Sequence, residues 1–160
     1  MKISAIILSA GNSTRYLSSK PKVFHELSGQ KLIDFNISLL NKYKEIKSCH
    51  IITNTALKEN FINLGYKNIS IQSPINGTGG AIAQFVSKNN IKADYYLICL
   101  GDTPIFNKKT IDALIKKTKN QKLDINVLGQ NLDNPFGYGR LIIENKNLKA
   151  IVEEKNCNIE

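Results

Sequence analysis

Cysteine is scarce in this sequence and poorly spaced for chemistry. Cys49, Cys99 and Cys157 form an odd, scattered set with no CxxC pair. That excludes a disulfide framework and a structural zinc site of the usual ligand spacing. Cys99 stands inside the apolar run YYLICL, where a small core residue is expected. Long apolar runs are missing too, so no stretch predicts a membrane span. The opening MKISAIILSAGNS couples Lys2 to an apolar run and small residues, but the run is too short for a signal peptide. N-x-S/T matches at Asn12, Asn36, Asn68 and Asn76 are chance in so Asn-rich a chain, and the expected compartment is the cytoplasm. Neither the Walker loop GxxxxGK(S/T) nor the dinucleotide fingerprint GxGxxG occurs. No internal repeat and no linker is visible.

What is present is a globular composition with a basic balance. At 160 residues and 42% hydrophobic, the chain fits one domain with a real core. Its 22 Lys+Arg against 13 Asp+Glu give a net charge of +9, which suits an anionic partner. The plainer reading is a solvated helix face, on which Lys116, Lys117 and Lys119 fall together. A basic nucleic-acid-binding module would interleave aromatics with its cations. Here Phe and Tyr fall mostly on apolar faces or within NPFGYGR, so no nucleic-acid partner is expected.

Apolar β-type runs at 4–9, 50–53, 69–72, 95–100 and 125–128 alternate with helix-period segments at 32–43, 57–64, 81–88 and 110–117. Beyond Tyr138, GRLII and KAIVEE read as short strands around an Asn/Lys turn. The alternation predicts an α/β domain with a mainly parallel sheet covered on both faces. Ligands of such sheets bind beyond the carboxyl ends of the strands.

Three strand-end loops therefore carry the functional reading. LSAGNSTRYLSSKPK, after the first run, supplies Ser9, Ala10 and Gly11, then Arg15, then Lys22 beside Pro21. Small residues let backbone N–H groups approach an anion, and a guanidinium fork suits phosphate oxygens. QSPINGTGGAIAQ places Gln72 before a Gly-rich helix start, whose first N–H groups are free. LGDTPIF puts Asp102 at the mouth of a strand, where one carboxylate can hold Mg²⁺. Taken singly, these loops also read as a plain turn, an ordinary helix start and an Asp102 helix N-cap. Together they suit a nucleoside triphosphate with Mg²⁺, and the two cations then have a purpose in neutralising it.

The stretches LSAGNSTR, KPKVFHELSGQKLID, QSPINGTGGA, LGDTPI, NPFGYGRLI and AIVEEK run in this order over almost the whole chain. In them the chain resembles the uridylyltransferase domain of bacterial N-acetylglucosamine-1-phosphate uridylyltransferases, usually the first half of a bifunctional enzyme. The resemblance implies a Rossmann-like nucleotidyltransferase fold. It implies Mg²⁺-dependent formation of UDP-N-acetylglucosamine and pyrophosphate from UTP and the sugar 1-phosphate, in the service of cell-wall peptidoglycan. Residue by residue, it implies that Leu8, Ala10 and Gly11 line the nucleotide and that Arg15 and Lys22 hold its phosphates. Gln72, Gly77 and Thr78 would read the uracil edge, Asp102 would hold Mg²⁺, and Gly139 and Glu153 would contact the amino sugar. His25 is expected to be structural, and neither it nor His50 is needed for the chemistry. A related nucleotidyltransferase using CTP, dTTP or another sugar phosphate is the nearer alternative.

The chain departs from that pattern at Ser13, where a second glycine is usual, at Tyr16, commonly Met, and at Gly80, often His. It stops at EEKNCNIE, so the expectation is a domain truncated on its C-terminal side. The rest of the acceptor site, a second metal ligand and any acetyltransferase domain would lie further on, and an oligomer is expected only with such a domain.

Overall fold

β-branched runs and helix-period segments alternate in space as they do in sequence. The structure, a computed structural model, describes residues 1–11, 18–105 and 107–157. In chain order the strands are β1 (Ile3–Ser9), β2 (Glu26–Leu27), β3 (Gln30–Lys31), β4 (Ile46–Thr53), β5 (Ile69–Ile71), β6 (Tyr95–Leu100), β7 (Arg140–Glu144) and β8 (Asn147–Val152). The helices are α1 (Leu32–Leu40), α2 (Thr55–Asn63), α3 (Gly77–Lys88) and α4 (Lys108–Gln121), with 3₁₀ turns at Lys22–Phe24 and Glu154–Asn156. The chain forms two compact units, Met1–Ile111 and Asp112–Glu160.

The first unit is built on a four-stranded parallel sheet in the order β5-β4-β1-β6. Alternation along β1 divides its side chains between two faces. Ala5 and Ile7 join Ile33 and Leu40 of α1, Phe61 of α2, Ile51 and Cys99 in one cluster. Ile6 joins Ile52 of β4 and Ala81 and Phe85 of α3 in the other. Coverage of the second face is less complete than the sequence implies. Ile98 and Leu100 of β6 remain 43% and 48% exposed. Cys99 is the expected core residue: burial, and secondarily the neighbouring Cys49, pushes its thiol pKa up to about 12. Such a thiol stays protonated and inert.

Two-residue turns close both hairpins. Ser28 and Gly29 join β2 to β3 with φ of 52° and 78°, and Asn145 and Lys146 join β7 to β8 with φ of 50° and 66°. Left-handed backbone at both central positions matches the twist of paired strands. The β7–β8 hairpin lies in the second unit and bears out the C-terminal strand pair. The strand expected at 125–128 does not form. Asn126 Nδ2 donates to Leu114 O and Thr118 Oγ1 at 3.3 and 3.2 Å, tying that segment back to α4. Without a strand alongside, its backbone has no ladder to join, and Ile125 and Leu128 stay 73% and 66% exposed.

His50 of β4 packs its ring 5.1 Å from that of Phe85, and its Nε2 is buried without a hydrogen-bond partner. Desolvation lowers its pKa below the ordinary value. The unfolded chain therefore takes up this proton first as pH falls through about 6.5, and the folded state loses stability from there downward. The urea midpoint should fall between about pH 7.5 and about pH 5.5. His50→Leu, which cannot be protonated, should show a smaller fall, and an undiminished one would place the titration elsewhere.

Candidate functional site

The strand order fixes where a site can form. From β1 the chain passes to β4 and β5 on one side, then returns by α3 to β6 on the other. The reversal falls between β1 and β6, and the carboxyl ends of strands at such a reversal are the position at which doubly wound sheets bind ligands. There the two backbones are in contact. Gly101 N–H donates to Leu8 O at 2.8 Å, one residue past the β1–β6 ladder. A Cβ at Gly101 would stand 2.2 Å from Ser9 Oγ and 3.3 Å from Leu8 O, so any larger residue would have to displace the Ser9 hydroxyl and press on the β1 backbone. Ser9 Oγ is itself buried without a partner.

The first loop is held by its carbonyls. Leu8 O accepts from Gly101, Ser9 O from Thr53 Oγ1 at 3.3 Å, and Ala10 O from Asn54 Nδ2 at 3.0 Å. What the loop offers an incoming group is therefore N–H, which favours anions. Ala10 is buried and Gly11 exposed. Arg15, with Ser13 and Tyr16, lies outside the described residues.

Lys22 opens a 3₁₀ turn whose Val23 and Phe24 are buried, Phe24 meeting Phe61 at a tilt of 60° with ring centroids 4.7 Å apart. Its Nζ sits 3.2 Å from Asp102 Oδ2, with both side chains over a third exposed. The expected phosphate cation and the expected metal carboxylate are thus neighbours. Asp102 caps no helix. α4 begins at Lys108, where Asn107 Oδ1 accepts from Lys109 N at 2.9 Å.

Asp102 owes its place to Asn36, a residue that sequence reasoning passed over. Fully buried on α1, Asn36 donates from Nδ2 to Leu100 O and Thr103 O at 2.8 and 3.1 Å and accepts at Oδ1 from Ile105 N at 2.7 Å. One side chain thus replaces the ladder that the LGDTPI backbone lacks. Asn36 shares the run Leu32–Leu40 with Asp34 and Ser38, so the sequence alone did not single it out. Asn54 was missed as well: beyond its bond to Ala10 it caps α2, its Oδ1 accepting from Leu57 N at 2.9 Å. His25 Nε2 lies 2.9 Å from Lys20 O and 3.2 Å from Ser18 Oγ, contacts that tie the start of the Lys22 turn together.

At the end of β5, Gln72 is buried, and its main-chain N–H donates to Thr53 O at 2.8 Å. Its Nε2 donates to Gly77 O and to Asn76 Oδ1, each at 3.0 Å. Gln72 and Gly77 are in contact, and exposed Thr78 follows on the first turn of α3. Gly139 and Glu153 belong to the second unit. Arg140 pairs with Val152, so Gly139 and Glu153 flank the same end of the hairpin. A Cβ at Gly139 would press on Val152 O at 3.2 Å. Arg140 Nη1 pairs with Glu154 Oε2 at 2.8 Å and donates to Pro135 O at 3.0 Å and to Tyr138 O, bracing the loop before Gly139.

Among the described residues no group of three or more His, Cys, Asp or Glu could hold a metal. A lone, partly exposed Asp102 fits a small hard cation that keeps its waters and shares one carboxylate with substrate phosphates. It does not fit a protein cage. No helix among the described residues is long and apolar enough to cross a membrane.

The MobA-like NTP transferase domain family matches residues 5–151. The chain belongs to that family. Within it the sequence is similar to the bifunctional protein GlmU of Prochlorococcus marinus, 32% identical over 161 residues, covering 99% of this chain and 36% of that protein. It is also similar to GlmU of Vesicomyosocius okutanii, 36% identical over 172 residues, covering 98% of this chain and 34% of that protein. The chain thus spans about a third of the length of these relatives. A Bacillus anthracis structure described as a glucose-1-phosphate thymidylyltransferase shares the fold, with TM-score 0.78 and 22% identity over 95% of this chain and 64% of that one. So does a CMP-2-keto-3-deoxy-manno-octonic acid synthetase in complex with CTP, with TM-score 0.59 and 17% identity over 76% of this chain and 49% of that one. Family membership and fold bear out the nucleotidyltransferase architecture expected from the motifs.

Replacing Asn36 by Leu leaves Ile105 N–H and two carbonyls without their partner. Unfolding free energy measured in urea should drop by about 2–4 kcal/mol. A change within about 0.5 kcal/mol would show that water takes over all three bonds.

Proposed function

We propose that this chain binds UTP with Mg²⁺ at the carboxyl edge of its parallel sheet and transfers uridylyl to N-acetylglucosamine-1-phosphate, releasing pyrophosphate. The observation that carries the reading is the 3.2 Å pairing of Lys22 with Asp102 at the switch point of the sheet, on the same edge as Gln72 and the start of α3. Similarity to the GlmU proteins supports the choice of nucleotide and sugar. A thymidine nucleotide is the second reading, since thymine carries the same N3–H as uracil and the Bacillus anthracis relative in fold is described as a thymidylyltransferase.

The chemistry asks little of the protein beyond placement. The second pKa of a phosphate monoester is about 6, so the attacking oxygen is largely ionised at neutral pH and no general base is required. That oxygen forms a bond to the α-phosphorus as the bond to the bridging oxygen breaks, and pyrophosphate leaves with the electron pair. Alignment and charge neutralisation supply the catalysis. Lys22 and Arg15 would hold the phosphate oxygens, and backbone N–H groups of Ala10 and Gly11 would line them. Gly77 and Thr78 would bear on the base beside Gln72. Gly139 and Glu153 would contact the amino sugar. Asp102 would hold Mg²⁺, which when bound neutralises phosphate charge.

Lys22 and Asp102 cannot keep each other while each takes a ligand, so cation and nucleotide binding are coupled. Lys22→Ala should weaken UTP binding by about 1.5–3 kcal/mol, read by calorimetry with Mg²⁺ present. Asp102→Asn should lose most of the gain in UTP affinity that Mg²⁺ confers, while Mg²⁺-free affinity holds or rises because Lys22 loses its competitor. Unchanged affinity in Lys22→Ala would remove it from the phosphate cradle. Pyrophosphate release should require UTP and N-acetylglucosamine-1-phosphate together, and equal turnover with CTP, dTTP or ATP would contradict the substrate assignment.

A further inference from the structure

Asn76 occupies the N-cap position of α3, yet its side chain caps nothing. The side chain of an N-cap Asn ordinarily accepts from the first turn. Here Oδ1 accepts from two other carboxamides, Gln72 Nε2 at 3.0 Å and Gln84 Nε2 at 3.4 Å. Gln84, two turns into α3, also donates to Pro74 O at 3.1 Å and accepts from Ser73 N at 3.0 Å. Backbone groups fix how each amide faces. Gly77 O and Pro74 O can only accept, and Ser73 N–H can only donate. Gln72 therefore turns its nitrogen toward Gly77 O and Asn76 Oδ1, which together use both of its hydrogens. Gln72 Oε1 is left without a partner among the described residues, as an acceptor.

Gly80 makes the arrangement possible. A Cβ there would fall 1.9 Å from Asn76 Oδ1 and 2.3 Å from its Cγ. The carboxamide of Asn76 occupies the space that any side chain at position 80 would take.

We propose that Asn76, seated over Gly80 and joined to Gln84, is a positioning residue that holds Gln72 with its carbonyl oxygen as the acceptor left for a ligand and so sets base selectivity. A fixed, unpaired acceptor favours a base with an N–H at that edge, such as the N3–H of uracil or thymine. It disfavours cytosine, whose N3 is itself an acceptor and would face Gln72 Oε1 with no proton between them. The inference rests on the proposed binding of a nucleotide at this edge. It adds residues that act through Gln72 and that touch no substrate themselves.

The test is calorimetric affinity for UTP and CTP, each with Mg²⁺, read as a preference ratio. Charge changes near the triphosphate affect both nucleotides alike and cancel in the ratio. The unaltered chain should prefer UTP. Asn76→Ala and Gly80→Ala should each cut the preference about tenfold, the worth of one hydrogen bond. Asn76→Asp, which keeps an acceptor oxygen, should retain it. Adding Gly80→Ala to Asn76→Ala should cost nothing more. Alanine is the better helix former, so Gly80→Ala should melt no lower than the parent, which separates lost selectivity from lost folding. An unchanged ratio in Asn76→Ala or Gly80→Ala would overturn the lock, as would a Gly80→Ala loss that persists in full without Asn76. A parent chain with no UTP preference would instead overturn the reading of Gln72 on which the lock depends.

Discussion

The site depends on two backbones touching where β1 and β6 end. Gly101 N–H reaches Leu8 O at 2.8 Å, and a side chain there would crowd Ser9 Oγ. This contact carries the strand pairing one step beyond the ladder and delivers Asp102 to the carboxyl edge of the sheet. Lys22 arrives there from a separate turn, anchored by Val23 and Phe24 in the core. Charge of both signs is therefore placed on the edge by apolar packing and main-chain bonds. The ion pair itself is too exposed to hold the fold together.

Carboxamides do most of the remaining positioning. Asn36 holds the backbone on both sides of Asp102, Asn54 joins the first loop to α2, and Asn76 with Gln84 organises the turn after Gln72. An amide side chain can satisfy donors and acceptors at once without the desolvation cost of a buried charge. That property suits an edge proposed here to receive a highly charged ligand. Fixed neutral dipoles set the geometry while Lys22 and Asp102 stay free to change partners.

Much of this was legible in the sequence. The β-type runs gave all four strands of the sheet, and 95–100 matched β6 residue for residue. Turn chemistry at Asn145 and Lys146 placed the second hairpin. Periodicity failed at 125–128, where an apolar run had no strand beside it and was tied to α4 by Asn126. The hairpin at Ser28 and Gly29 was overlooked because its strands are too short to show alternation. Candidate site residues at strand ends could be named from motifs. Those acting behind them could not: Asn36 and Gln84 look like ordinary polar residues until the backbone groups they serve are brought together by the fold.

The central claim is that nucleotide binds at the carboxyl edge around the β1–β6 junction. Amide chemical shifts of isotopically labelled protein, followed as UTP with Mg²⁺ is added, test it most directly. Shifts should concentrate at Ala10 and Gly11, at Gln72 to Thr78, and at Gly101 and Asp102, and should spare α2. Shifts gathered instead on the Lys116, Lys117 and Lys119 face of α4 would mean that the basic charge, and not the carboxyl edge of the sheet, binds the nucleotide.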